Sequence, residues 1–378
     1  MKGTKRFISA FLCVVMTVSV LFELGSVFPK AEAADITIGG LTQTRAVDKA
    51  LYDGYEKKYL GGFSKQTNLV LPGQNDDYVQ QGMTYYKAKN WVLITAYDAN
   101  KAGLSTARPT VIFALDVATG KYVACFKLKY SNGKYSTSHG GGLAASENNL
   151  YFADSGSTIS YFPLSELDVP ENTTKDVTLL DSIDLKSEMN SASTSFCCYD
   201  SGILWTGNFY WIGDSSYNKA ANSKYDSMIF GYKLSGNTSA EEWANISNAN
   251  KTNKDCVGNP SYCIALDNTY DRVQYAMVDE GKLYLSRSWS RKSTANYISE
   301  LDVFDIDLSL PGTETLTIAG KSRDVYLMTS DSVRAYDNMS MSEALCVIDD
   351  YLYMVYESGA LKYRTGYDNN GVAAAPVD

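Results

Sequence analysis

The chain has 378 residues, 43 acidic against 34 basic, giving a net charge of −9. With no basic cluster, that balance excludes nucleic acid or an anionic membrane surface as the main partner. A single histidine excludes a histidine-rich metal centre, while 29 tyrosines and only 8 prolines fit a packed, strand-rich body.

Residues 1–33 read as a signal peptide. Lys2, Lys5 and Arg6 form a basic start, residues 7–22 an apolar core, and Ala31-Glu32-Ala33 a small-x-small cleavage site. Glu23 and Gly25 cut the apolar core too short for a retained membrane anchor, and no other stretch approaches spanning length. Cleavage near Ala33 predicts a secreted, extracellular protein with no transmembrane segment. The mature chain is more acidic still, because the leader carries four basic residues and two acidic ones.

Residues 34–76 form an N-terminal segment, and from residue 77 the chain repeats. A small residue followed by an apolar one recurs at Gly82-Met83, Gly142-Leu143, Ser195-Phe196, Ala276-Met277 and Ala344-Leu345. Each opening is followed by a second apolar or aromatic run: 91–97, 150–154, 203–209, 283–289 and 352–357. The first unit continues with runs at 110–117 and 122–128 around a Thr119-Gly120 turn. The second continues with 159–164 and 176–185, the third with 227–234, and the fourth with 297–308 and 315–320.

Repeated four-stranded meanders predict an all-β fold, a β-propeller with five four-stranded blades over residues 77–364. The small residue lets inner strands crowd around the axis, and the apolar residue after it packs between blades. Residues 240–260 are read as an outer strand plus a long loop, with a degenerate sixth blade as the alternative. The fifth unit runs short: after 361–364 comes a Gly/Asn/Ala-rich stretch, read as a flexible tail over 365–378. Its missing strand is expected from the N-terminal segment, either 67–73 or 36–42, which would close the ring and cover two sheet edges.

Six cysteines follow the leader. Cys256 and Cys263 bracket Gly258, Asn259 and Pro260, a spacing that permits a local disulfide. Cys197 and Cys346 fall at equivalent repeat positions and are expected as buried free thiols.

In a propeller, inner-strand starts and second-strand ends meet at one channel mouth. That rule gathers Gln80, Gln81, Tyr97, Asp98, His139, Asp154, Trp211, Gln274, Tyr275, Arg287, Trp289, Glu343, Tyr356 and Glu357 into a candidate ligand-binding face. His139, in Ser138-His139-Gly140-Gly141-Gly142, is either a general base or a channel-lining imidazole. Glu343 is the other catalytic candidate. Asp98, Asp154, Glu343 and Glu357 either form a carboxylate ring, holding Ca²⁺ or serving as acid and base, or cap turns. Trp211, Trp289, Tyr97 and Tyr356 either stack on sugars or peptides, or pack the rim.

The runs at 81–86, 114–123 and 138–154 resemble exported bacterial propellers of the YncE-like and SMP-30/strictosidine-synthase-like class. The resemblance implies a propeller fold and, in some members, calcium-dependent lactonase or phosphotriesterase chemistry; others are binding or scaffold modules. The expectation is a monomeric, exported module binding an extracellular ligand, glycan or protein. A Ca²⁺-dependent hydrolase or lyase using the same mouth, lactonase-like or glycosidase-like, is the alternative.

Overall fold

The computed structural model describes residues 34–44, 65–99, 107–156, 158–185, 193–211, 213, 225, 227–247, 260–267, 269–289, 299–318, 320–364 and 369–376. The chain divides into units Met1–Ala34 and Asp35–Asp378, and the description below concerns the second. The leader-like segment and Cys256 lie outside the described residues.

A short hairpin, β1 (Ile36–Ile38) and β2 (Leu41–Gln43), precedes β3 (Lys65–Val70). The first blade is β4 (Tyr78–Tyr86), β5 (Trp91–Asp98), β6 (Val111–Asp116) and β7 (Tyr122–Tyr130), all antiparallel. The second is β8 (Gly142–Ala145), β9 (Asn149–Ala153) and β10 (Thr158–Pro163). It is completed by β12 (Asp181–Asp184) after β11 (Thr173–Leu179) has crossed back to pair in parallel with β7. The third is β13 (Thr194–Asp200), β14 (Ile203–Asn208), β15 (Ser227–Lys233) and β16 (Tyr262–Leu266), with helix α1 (Ser239–Ala244) between the last two. The fourth is β17 (Val273–Asp279), β18 (Lys282–Ser288) and β19 (Ser299–Asp305). Next come β20 (Glu314–Ile318) and β21 (Lys321–Met328), a hairpin that joins the third blade through β16, and only then the fourth outer strand, β22 (Val333–Asn338). The fifth blade orders β23 (Ser342–Ile348), β24 (Tyr351–Tyr356), β25 (Gly371–Pro376) and β3.

Five blades therefore form a ring: β4 packs on β8, β8 on β13, β13 on β17, β17 on β23, and β23 back on β4. Strand β3 closes it, as expected from 67–73. The alternative source, 36–42, is the β1–β2 hairpin. Its Gln43 is fully buried, donating to the Val70 and Gly120 carbonyls at 2.8 Å and accepting from Tyr122 N, so it joins the closing strand to the first blade.

Four expectations change. Of residues 176–185, read as one strand of the second unit, 176–179 lie in β11 on the first sheet and only 181–184 complete the second. Residues 371–376 are not a free tail but buried β25, because Ala373, Ala374 and Ala375 are small enough to fit between β24 and β3. The third outer strand follows the 240–260 stretch instead of lying in it, and residues 315–320 belong to the third sheet, not the fourth.

Blade strands are buried on both faces, which explains their continuous apolar runs. Along β5, Val92, Ile94 and Ala96 join the large core shared with the fourth and fifth blades. Trp91 and Leu93 instead meet Leu143, Leu150 and Phe152 of the second. The apolar opening residues Met83, Leu143, Phe196, Met277 and Leu345 are all buried. The small residues serve close approach: a Cβ on Gly142 would lie 2.1 Å from Cys197 N. Cys197 and Cys346 are buried free thiols whose pKa values burial pushes up. Among the described residues no helix is long and apolar enough to cross a membrane.

Candidate functional site

Four of the five inner strands carry a register shift at their start, between Gln80 and Met83, Thr194 and Phe196, Val273 and Tyr275, and Ser342 and Leu345. A bulge bends the strand and re-aims side chains. The residues left over are Gln81-Gly82, Ser195, Gln274 and Glu343-Ala344, all at or just before a small opening.

Gln81 and Glu343 meet the second-strand end of the fifth blade. Gln81 Nε2 donates to Glu357 Oε1 at 2.5 Å and to the Gln80 carbonyl at 2.8 Å. Glu343 is buried, and its pKa is pushed well above the carboxylate range, by desolvation first and by the Glu357 charge second. Burial dominates because a carboxylate loses its hydration there and gains no opposing charge.

Tyr97 stacks on His139 with ring centroids 4.2 Å apart and planes 17° from parallel. Lys362 Nζ donates to Tyr97 Oη at 3.1 Å and lies 4.6 Å from the Tyr363 ring centroid. The Tyr97 and Tyr363 hydroxyls are 3.3 Å apart. Desolvation and then Lys362 lower the His139 pKa, keeping the imidazole neutral near pH 7. Tyr97 is shifted upward by burial, then by Glu357, Tyr363 and Glu343, so its hydroxyl keeps its proton. These groups form one cluster. Lys362 and Tyr363 are not in the face expected from strand direction, although their position just after Tyr356-Glu357 marks the loop that follows a second strand.

Other candidates are placed differently. Asp98 is ion-paired with Arg108 at 2.9 Å and accepts from its backbone N–H. Asp154 caps its own turn through Gly156 N, Thr158 N and Thr158 Oγ1. The carboxylate ring is therefore not assembled: Glu343 and Glu357 face each other while Asp98 and Asp154 are engaged elsewhere. Among the described residues no group of three or more His, Cys, Asp and Glu side chains is placed to hold a metal ion, so the candidate set does not fit Ca²⁺.

Arg287 is buried, bonded to Asp302 at 3.0 Å, to Glu300 at 3.1 Å and to the Asp271 and Thr269 carbonyls. Its guanidinium lies 4.7 Å from the Trp289 ring centroid, and Arg272 lies 5.1 Å from that of Trp211. Both indoles thus carry arginines of the fourth blade, the rim-packing alternative for these residues. Tyr356 is fully buried, donating to Asn338 Oδ1 at 2.9 Å. Gln80 is buried and donates to the Pro72 carbonyl, and Gln274 is half-buried on β17.

The floor of the mouth is Tyr275, which occupies the repeat position of Gln81, Gly141, Thr194 and Glu343. Its hydroxyl lies 2.6 Å from the Cys197 carbonyl and 3.2 Å from those of Met83 and Leu143. A fully buried phenol thus ties three inner strands at the axis and separates the two channel mouths.

No family model matches the chain, and no curated protein matches it. Among solved structures it is similar to the glutaminyl cyclase of Myxococcus xanthus, with 10% identity over 80% of this chain and 94% of that one, TM-score 0.38. The WD40 domain of Toxoplasma gondii coronin gives 11% identity over 75% and 52%, TM-score 0.30. The computationally designed Ika8 protein gives 11% over 82% and 100%, TM-score 0.31. The propeller assignment follows from the sheet order and ring closure described above.

Proposed function

We propose that the protein is an exported β-propeller that binds an extracellular glycan, peptide or small molecule at the inner-strand-start mouth. The observation that carries this reading is the convergence of Gln81, Tyr97, His139, Glu343, Glu357 and Lys362 above the Tyr275 floor. A protonated acid, a carboxylate, an ammonium and an aromatic face offer donors, acceptors and a stacking surface to one ligand. The YncE-like character of the blade motifs points the same way.

A glycan and peptide array compared across wild type, Tyr97→Ala and Glu357→Gln tests the reading. Retention on some target should fall in both variants; equal retention on every target sinks it. Export is tested by sequencing the protein from culture medium, which should begin near Ala34. A chain keeping residues 1–33 in the cells would count against it.

The second reading is a metal-free hydrolase or lyase. The observation favouring it is the buried Glu343 carboxyl, its pKa raised by desolvation and then by the Glu357 charge, the arrangement of a general acid beside a carboxylate. A retained ligand that is turned over by wild type, and bound without turnover by Glu343→Gln, would select this reading.

A further inference from the structure

Below Tyr275 the channel opens again. A cavity of about 440 Å³ lies at the ends of the inner strands, within the size range of small-molecule sites. Its inner end is closed by Tyr275 and Met83, and its walls include Tyr85, Tyr199, Met277 and Leu345.

Asp200 and Asp279 enter it from the adjacent inner strands β13 and β17. Among the described residues neither carboxylate forms an ion pair with a basic side chain. Asp279 is pushed up to about 6 by burial first and then by the Asp200 and Glu280 charges. Asp200 is also moved up, by burial first; its hydrogen bond with Ser201 opposes the shift and the Glu280 charge adds to it. Glu147 adds a third carboxylate, and Lys87 is the one basic residue among those lining the cavity.

We propose that this second mouth binds a small organic ammonium ion with an apolar body. The two aspartates supply the counter-charge and the tyrosines supply faces that attract a cation. The methionines and leucine take up the apolar part. A bare metal ion fits less well, because no metal-holding cluster stands among the described residues. An anion would meet three carboxylates against one lysine.

Calorimetric titration of the full chain with benzylammonium chloride at pH 7.5 and low salt tests this, with benzyl alcohol as the neutral isostere. Saturable binding of benzylammonium, at least tenfold tighter than benzyl alcohol, is expected. Asp279→Asn and Asp200→Asn should each weaken it about tenfold, while Leu310→Ser, at an exposed residue that lines neither mouth, leaves it unchanged. Thermal melts of each variant confirm folding, which removal of a repelling charge should favour. Absence of saturable binding overturns the proposal, as does equal binding of benzyl alcohol or full retention in both aspartate variants. The outcome is independent of the glycan and peptide array, because that array reads the opposite mouth.

Discussion

The Tyr275 hydroxyl stands 2.6 Å from the Cys197 carbonyl oxygen on the neighbouring inner strand, and 3.2 Å from the Met83 and Leu143 carbonyls on the two strands beyond it. One side chain of the fourth blade thus touches the inner strands of the first, second and third. Tyr275→Phe keeps the ring and removes the tie. The expected loss is about 1–2 kcal/mol in urea denaturation, the cost of leaving buried carbonyls short of a donor. Tyr275→Ala should cost about 3–5 kcal/mol, since it also opens a cavity on the axis.

Glu343 makes stability depend on pH. Its folded pKa is raised, so the folded state holds a proton that the unfolded chain releases above about pH 4. That group's contribution is fully present below the unfolded value and falls as pH rises toward the folded one. Glu343→Gln should flatten the decline and stabilise the protein at pH 8 relative to wild type. Asp279, at about 6, adds a decline between roughly pH 4 and 6 that this variant leaves intact. Denaturation midpoints from pH 4 to 8 for Glu343→Gln and Asp279→Asn separate the two.

Helix α1 is held to the second blade by a buried carboxylate. Glu242 accepts from Ser146 Oγ, from Asn148 N and Nδ2 at 3.1 and 2.9 Å, and from Tyr151 Oη at 2.9 Å. Glu242→Ala strands these donors and should cost about 3 kcal/mol. Hydrogen exchange at Asn148 and Asn149 should rise with it; unchanged protection would refute the clamp.

Arg287 is the counter-ion of Asp302, whose side chain is almost fully buried. Arg287→Met leaves that carboxylate without its partner and should cost about 3–5 kcal/mol near neutral pH. Pairing it with Asp302→Leu should recover much of the loss, measured as a double-mutant cycle. Additive losses would show that the pair is not the cause.

Gly142→Ala should destabilise by about 2–3 kcal/mol, as overpacking does, because its Cβ would stand 2.1 Å from Cys197 N. Gly133→Ser, at an exposed turn with nothing within 4 Å, should cost less, its penalty coming only from the positive φ of 81°.

The recurrence of a small residue before an apolar one pointed to five blades with six as the alternative, because inner strands around an axis admit little side-chain volume at that position, and the ring closes with five. The closing role of residues near 67–73 was legible for a related reason: a fifth blade short of strands needs one from the other end. Glu343, Glu357, Tyr97 and His139 could be placed at one mouth from strand direction alone. The roles of Asp98 and Arg287 could not, since Arg108 and Asp302 find them only through hairpin pairing and cross-strand contact.

The sequence by itself determined the propeller, the position of its openings and the face on which polar residues gather, since strand periodicity and steric volume act locally. Only the tertiary structure decided which of those residues meet. The Glu343 and Glu357 carboxylates share a buried mouth, Trp211 and Trp289 carry arginines, and Tyr275 divides the channel in two. Such meetings depend on distances between blades, and chain spacing does not encode the solvent exclusion that gives each charge its behaviour.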